Sequence, residues 1–287
     1  MTAVLAVARY TLLELSRRRI LLVFFLLGAI GTLLLGVGLK VIYSVAATSV
    51  AAQDPARFQK FLELSFISDL YGALGIFGLL IAFAIGMTAI YHDLDSGAAV
   101  SILSKPVSRA EYSAGKIGAA AAALVVIVGL LAVEARLVML LFQGGLEGSL
   151  TGEVIATLGN SLLVMLLVLA LSTWMNNIVA AIVAFVYNSV VTGVVVAVHA
   201  LTNGGGVDNQ IVKGVFDVLY WLVPHALISS APGDLARARV ALESSPRGTE
   251  TLALIPQASG AGDIVWWAFL VLLFSILVYV AVRRRQV

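Results

Sequence analysis

Six long apolar runs, each closed off by charges or turn-forming residues, leave this chain few soluble folds to adopt. A bilayer core takes a helix of about 20 predominantly apolar residues. The runs at about 20–42, 70–90, 117–141, 154–172, 178–200 and 264–282 have that length. Hydrophobic residues make up 61% of the chain and charged residues 12%, against roughly 45–50% and 25% in soluble domains. The sequence therefore reads as one all-α integral membrane domain, 1–287, with six transmembrane helices and a large outer segment at 201–262. With no cysteine, disulfides and thiolate metal sites are excluded, and a net charge of +2 makes no case for nucleic acid.

The basic residues speak by position. Arg17–Arg19 precede the first run and Arg283–Arg285 follow the last, so both termini are expected on the cytoplasmic side of a cell membrane. Lys105, Arg109 and Lys116 agree. Residues 2–18 carry Leu5, Ala8, Leu12 and Leu15 at helical spacing, with Glu14 four before Arg18; this predicts an interfacial amphipathic helix, with a frayed tail as the alternative. Ser49-Val50-Ala51 resembles a small-residue cleavage site, but the apolar run before it is too long for a usual signal peptide.

The second run contains Gly72, Gly75, Gly78 and Gly86, which suit close helix approach in lipid. The outer loop before it is expected to hold a short helix around Phe58, Phe61, Leu62 and Phe66. In the third run, Glu134 and Arg136 interrupt the apolar pattern. Either they lie inside the bilayer and pair elsewhere, or the span ends near Val133 and residues 137–142 lie along the outer surface. With Asn188 of the fifth run, they are the candidate pathway residues, although ordinary helix packing also accounts for Asn188. Thr173-Trp174-Met175-Asn176-Asn177 reads as a tight inner turn. In the outer segment, Ile211–Val223, stopped by Pro224, suits an interfacial or re-entrant helix; a second helix is expected near 234–242, and Asp263 is a candidate cap of the last span.

The longest inner interruption, Tyr91–Lys116, is patterned like a folded element. Ser108 stands three before Glu111, the capping-box spacing. Pro106 biases Lys105 away from helix. Asp93, Asp95 and Ser96 are candidate caps for a short helix through Ala98, Ala99, Ile102 and Leu103. The chain has no Gly-x-x-x-x-Gly-Lys-Ser/Thr motif, so ATP binding by a P-loop must come from another subunit. His92, His199 and His225 are isolated in sequence and expected at different levels or sides, with no metal site. His92, Asp93 and Asp95 suit a membrane-embedded enzyme as an alternative. The lipid-head phosphotransferases that use such acids need more aspartates and an arginine downstream, where this chain has Ala98-Ala99-Val100-Ser101.

Asp93-Leu94-Asp95-Ser96-Gly97, Ile102-Leu103-Ser104-Lys105-Pro106-Val107-Ser108-Arg109 and Gly115-Lys116 together resemble the ABC-2 type permeases of ATP-binding-cassette transporters. Within that family the chain is most similar to the branch containing the nitrous-oxide-reductase maturation permease. The Arg-rich start ARYTLLELSRRR is similar to that family's interfacial first helix. Where relatives often carry Glu and Thr around the glycine, this chain has Asp95 and Ala98. The resemblance implies two permease copies, often identical, paired with two cytoplasmic ATPase subunits that hold the ATP and magnesium. It makes the helix around 95–103 a coupling helix that carries the ATPase motion into spans one, two and five. Asp93, Asp95, Gly97, Ile102, Leu103, Pro106, Arg109 and Lys116 would form that contact, and the chain itself would be no enzyme. Export of a hydrophobic or amphipathic substrate along the dimer interface is the expected activity. A stand-alone secondary transporter is the remaining alternative; the scarcity of mid-membrane polar residues weighs against it.

Overall fold

A computed structural model describes residues 3–50, 55–95, 97, 99, 104, 107–142, 149–203, 209–243, 255 and 257–284. Among these, the regular structure is entirely helical. In chain order the helices are α1 (Ala3–Ser16), α2 (Arg19–Val50), α3 (Pro55–Thr88), α4 (Tyr91–Asp95), α5 (Arg109–Phe142), α6 (Ser149–Trp174), α7 (Asn177–Val186), a π turn (Tyr187–Val191), α8 (Thr192–Asn203), α9 (Gln210–Leu222), α10 (Ala231–Glu243) and α11 (Ala261–Arg284). Six stretches are long and apolar enough to cross a membrane: Arg19–Ile42, Lys60–Asp93, Arg109–Leu140, Thr151–Trp174, Asn177–Thr202 and Ala261–Arg284. The protein is an all-α, multi-pass membrane protein. Its spans are numbered 1–6 in that order.

Spans 2, 3 and 4 make the centre. Leu74, Ile81 and Ile85 of α3, Leu124, Val128 and Leu131 of α5, and Met165, Leu166 and Leu169 of α6 are buried in one cluster. In lipid, helices gain little from hiding apolar surface and associate through close packing. Two glycines allow it: a Cβ on Gly86 would meet the Met165 carbonyl oxygen at 2.8 Å, and one on Gly78 would meet Ser161 Oγ at 2.7 Å. Gly72 and Gly75, expected to act in the same way, have open space where a Cβ would stand. Spans 1, 5 and 6 form the sheath; only 17% of span 5 is buried, against 56% of spans 2 and 4.

Several elements differ from the pattern expected of the sequence. The helix around Phe58–Phe66 is not separate, because α3 runs unbroken from Pro55 to Thr88, a length of about 51 Å at 1.5 Å per residue. Its early residues stay helical because they are covered: Leu64, Phe66 and Ile67 are buried, and α10 packs on this helix. Span 3 starts at Arg109, eight residues before the apolar run, because the Ser108 cap sets the boundary. It then continues through Glu134 and Arg136 to Phe142, so residues 137–142 do not turn off along a surface. Glu134 lies 18 residues after Lys116, about 27 Å along the axis. Both charges therefore fall at the far edge of a hydrocarbon core of about 30 Å, half-buried on a continuous helix.

The far end is closed by the segment between spans 5 and 6. Asn209 caps α9 by accepting from Ile211 N at 3.0 Å, and Pro224 follows its end. α9 packs on α8, and Thr192 Oγ1 donates to the Pro224 carbonyl at 2.9 Å. The irregular chain after Pro224 is gripped by Asn160 of α6, whose Nδ2 donates to Leu227 O at 2.9 Å and whose Oδ1 accepts from Leu227 N at 2.7 Å. Irregular backbone packed among apolar helices requires such partners. α10 begins at Ala231, three residues before Asp234. Asp263 is not the residue that caps α11; it stands in the first turn and accepts from Gly260 N at 2.7 Å. His199 and His225 are not at separate levels: both stack on Tyr220.

Candidate functional site

At the end where Arg18, Lys116 and Arg283 gather, three pieces of chain meet on one buried ion cluster. The first is α1, which lies on α5 with Val7, Thr11 and Leu15 buried. The face is rotated from the expected one, leaving Leu5 and Leu12 exposed. The rotation follows from where α1 can approach. A Cβ on Gly115 would stand 2.8 Å from Val7 Cβ and 2.9 Å from Val4 O. Gly115 is thus the notch in α5 that α1 crosses, and Thr11 satisfies its own hydroxyl on Val7 O at 2.9 Å.

The crossing brings Glu14 to Lys116, with Glu14 Oε2 3.3 Å from the ammonium. The second piece is α4, the single turn at the end of span 2, which delivers Asp93 Oδ2 to the same ammonium at 2.7 Å. Asp93 is not a helix cap, as its position in the sequence suggests; its side chain is 1% exposed and that of Lys116 is 0% exposed. The third piece is the start of α5, where Tyr112, one turn before Lys116, donates its hydroxyl to Asp93 Oδ2 at 2.9 Å. Arg18 pairs with Glu14 four residues away. Two cations and two carboxylates close a neutral set. The rings of Tyr10 and Tyr112 flank the Lys116 ammonium, with centroids at 5.5 and 5.9 Å, a favourable placement for a cation.

The electrostatics follow from this packing. Burial alone would push the Glu14 carboxyl up, but the Arg18 hydrogen bond and the Lys116 charge outweigh it and hold it below the usual carboxylate range. Burial, then the charges of Asp93 and Glu14, push the Tyr10 phenol above its ordinary value. Buried ion pairs add little net stability, because desolvation offsets attraction. Their consequence is geometric: none of the partners can leave alone without stranding a charge.

The same end holds two further ties. Ser108 and Glu111 make the expected reciprocal cap, with Ser108 N donating to Glu111 Oε2 at 2.8 Å and Glu111 N to Ser108 Oγ at 3.2 Å. Arg109 Nη1 donates to the Arg283 carbonyl at 2.6 Å, fastening the start of α5 to the last turn of span 6. Arg284 lies over the Trp174 ring at 5.6 Å, beside the tight turn in which Asn176 caps α7.

Of the residues singled out in sequence, Asp93, Arg109 and Lys116 are brought together at this end. Asp95 is exposed, and Gly97 follows it with a φ of +73°. That left-handed conformation is costly for other residues, so the chain turns there. Ile102, Leu103 and Pro106 lie outside the described residues. Glu134, Arg136 and Asn188 are not part of the cluster. Asn188 sits half-exposed in the π turn of span 5. Among the described residues, no group of three histidine or acidic side chains is placed to hold a metal. Asp93 is taken up by Lys116 and Tyr112, which leaves the His92/Asp93/Asp95 grouping without its central carboxylate. Glu14, Tyr10 and Tyr112 were not readable as partners, although a lysine opening an alanine-rich apolar run was a signal that carboxylates must come to it. The chain matches no protein-family model and no curated protein.

Proposed function

We propose that the chain is the membrane-spanning subunit of an ABC-2 type transporter, driven by a separate cytoplasmic ATPase at the basic end. The observation that carries this reading is the Lys116–Asp93–Glu14 cluster. A force on the polar corner between spans 2 and 3 acts on α4 and α5, and the buried ion pairs oblige α1 to follow. A slack cytoplasmic loop would need no such fastening. The basic residues at 17–19, 109, 116 and 283–285 support a cytoplasmic placement of this end by the positive-inside rule, which on this reading goes with both termini inside and the multi-pass chain in the cell membrane.

A second copy of the chain belongs to the same reading. Span 5 is the least buried, and Asn188 and Ser189 lie on its π turn with no side-chain hydrogen bond among the described residues. A polar group facing hydrocarbon needs a partner, which a neighbouring copy supplies. The transported molecule is then hydrophobic or amphipathic, exported along that face, and this chain performs no catalysis. Gentle purification should bring down a P-loop ATPase. The variant Leu103→Glu should lose it while still inserting in the membrane. Transport with no nucleotide-hydrolysing companion, or unchanged association in the variant, refutes the proposal.

A further inference from the structure

Span 3 carries two charges, Glu134 and Arg136, at the end far from the ion cluster, and neither belongs to a tie described above. Two residues apart on a helix, they stand about 160° apart around its axis. Between them lies the face of span 3 that holds Val126, Leu130, Val133 and Leu137, each 53–59% exposed. Val138 meets Gly36 of span 1, and Val128 faces Gly78 of span 2. Glu134 therefore borders the exposed face on the side of span 1, and Arg136 borders it on the side of span 2.

Arg136 is half-buried and, among the described residues, makes no ion pair or hydrogen bond. A charge at that depth is costly without a partner. Tyr71 of α3 is 1% exposed, and its enclosed hydroxyl also makes no hydrogen bond to a described residue. The Arg136 guanidinium acts electrostatically on that hydroxyl, more strongly than the Glu153 carboxylate of α6 does. Glu153 is itself engaged, accepting from Ser229 Oγ. A guanidinium can only donate, and a phenol proton also needs an acceptor. The pair thus suits a group with negative charge and several acceptor oxygens. Phosphate has both, and arginine can hold it through two parallel N–H···O bonds.

Depth selects the source of the phosphate. Arg136 follows Lys116 by 20 residues, about 30 Å along the helix axis. That is the thickness of a hydrocarbon core, so the guanidinium stands at the level of lipid headgroups. Two turns below it, Gly129 has nothing within 4 Å of where a Cβ would stand. This hollow adjoins the exposed apolar face and leaves room for an acyl chain. A dissolved anion would use the guanidinium alone, whereas a lipid uses the apolar face as well.

We propose that Arg136 and the Tyr71 hydroxyl form a site for the phosphate of an anionic phospholipid in the leaflet opposite the ion cluster, with an acyl chain along the Val126–Leu137 face of span 3. The site requires only that the chain spans a bilayer, and not the permease reading.

Lipid binding by the full chain in a neutral detergent, followed by native mass spectrometry and thermal shift, tests it. Phosphatidylglycerol should bind about tenfold more tightly than phosphatidylcholine of the same acyl chains, and should raise the melting temperature further. Arg136→Gln should remove that preference, about tenfold being the least that a hydrogen bond to a charged group supplies. Tyr71→Phe deletes a hydroxyl that is unsatisfied in the free protein. It should leave lipid-free melting unchanged or higher, yet shrink the phosphatidylglycerol shift; a merely structural tyrosine would not show that opposition. Arg237→Gln, exposed and paired with Asp234, should alter neither readout. Glycerol phosphate alone should give no shift. Equal affinity for the two lipids overturns the proposal, as does a preference that survives Arg136→Gln. A phosphatidylglycerol shift untouched by Tyr71→Phe, or full stabilisation by glycerol phosphate, overturns it too.

Discussion

The two ends of the bundle solve one problem with different chemistry. Each ties a helix that does not span to helices that do, through a buried nitrogen group and a carboxylate. At the basic end the pair is Lys116 and Asp93, 2.7 Å apart; at the far end it is His225 and Asp263, 3.2 Å apart. The Lys116 ammonium has two carboxylates and two tyrosine rings around it, whereas the His225 ring divides its nitrogens between two backbone carbonyls and one carboxylate. The first tie locks α1, α4 and α5 together; the second joins the chain after α9 to α11.

The largest expected effect comes from breaking the first tie. Lys116→Met leaves the Asp93 carboxylate, 1% exposed, with only the Tyr112 hydroxyl for compensation. Stranding a buried charge costs about 3–5 kcal/mol. Thermal unfolding in detergent should show that loss, and the double variant Lys116→Met/Asp93→Asn should recover most of it. If the single and double variants melt together, the cluster is not holding the end as described. Far-end hydrogen exchange should be unchanged in both, since effects of well-separated sites add.

A smaller effect separates steric docking of α1 from its electrostatic anchoring. Gly115→Ala sets a Cβ against Val7 Cβ and Val4 O, at 2.8 and 2.9 Å; such overpacking costs about 1–3 kcal/mol. Gly118→Ala on the same helix meets nothing within 4 Å and should be neutral or mildly stabilising by helix propensity. Amide exchange in residues 3–16 reads the difference. Equal protection in the two variants would mean that α1 rests on the ion cluster alone.

What was legible beforehand divides along the same physical line. The presence of six membrane-length helices, the Ser108–Glu111 cap and the Pro224 stop are local: they depend on neighbours in sequence, and the structure has all three, although α3 and α5 begin earlier than their apolar runs. Asp93 and Asp263 both read as caps in sequence, because the local pattern is all a sequence displays, and tertiary partners claim both side chains. The stack of His199, Tyr220 and His225 was invisible for a related reason. It forms only once α9 packs against α8 and the chain after Pro224 doubles back. Gly115 carried a signal, but whether a glycine is a notch or mere open space depends on the helix opposite. Gly72 and Gly75 show this by being open.

The smallest effect is confined to the basic end. Glu14 has its carboxyl held below the ordinary range: burial opposes this, and the Arg18 hydrogen bond and the Lys116 charge overcome it. A depressed folded-state value means that the stabilisation is present above the unfolded value, roughly pH 4.3, and is lost as pH falls through the folded one. Acidification below about pH 4.5 should therefore loosen α1, read as increased exchange in residues 3–16, while residues 209–230 stay protected. Glu14→Gln should show already loosened α1 exchange at neutral pH, with the acid-induced step diminished. If residues 209–230 loosen together with α1 on acidification, a common global unfolding explains both and the effect does not belong to Glu14. If α1 ignores acid altogether, Glu14 is a bystander and the Asp93–Lys116 pair, with the Gly115 crossing, accounts for the docking.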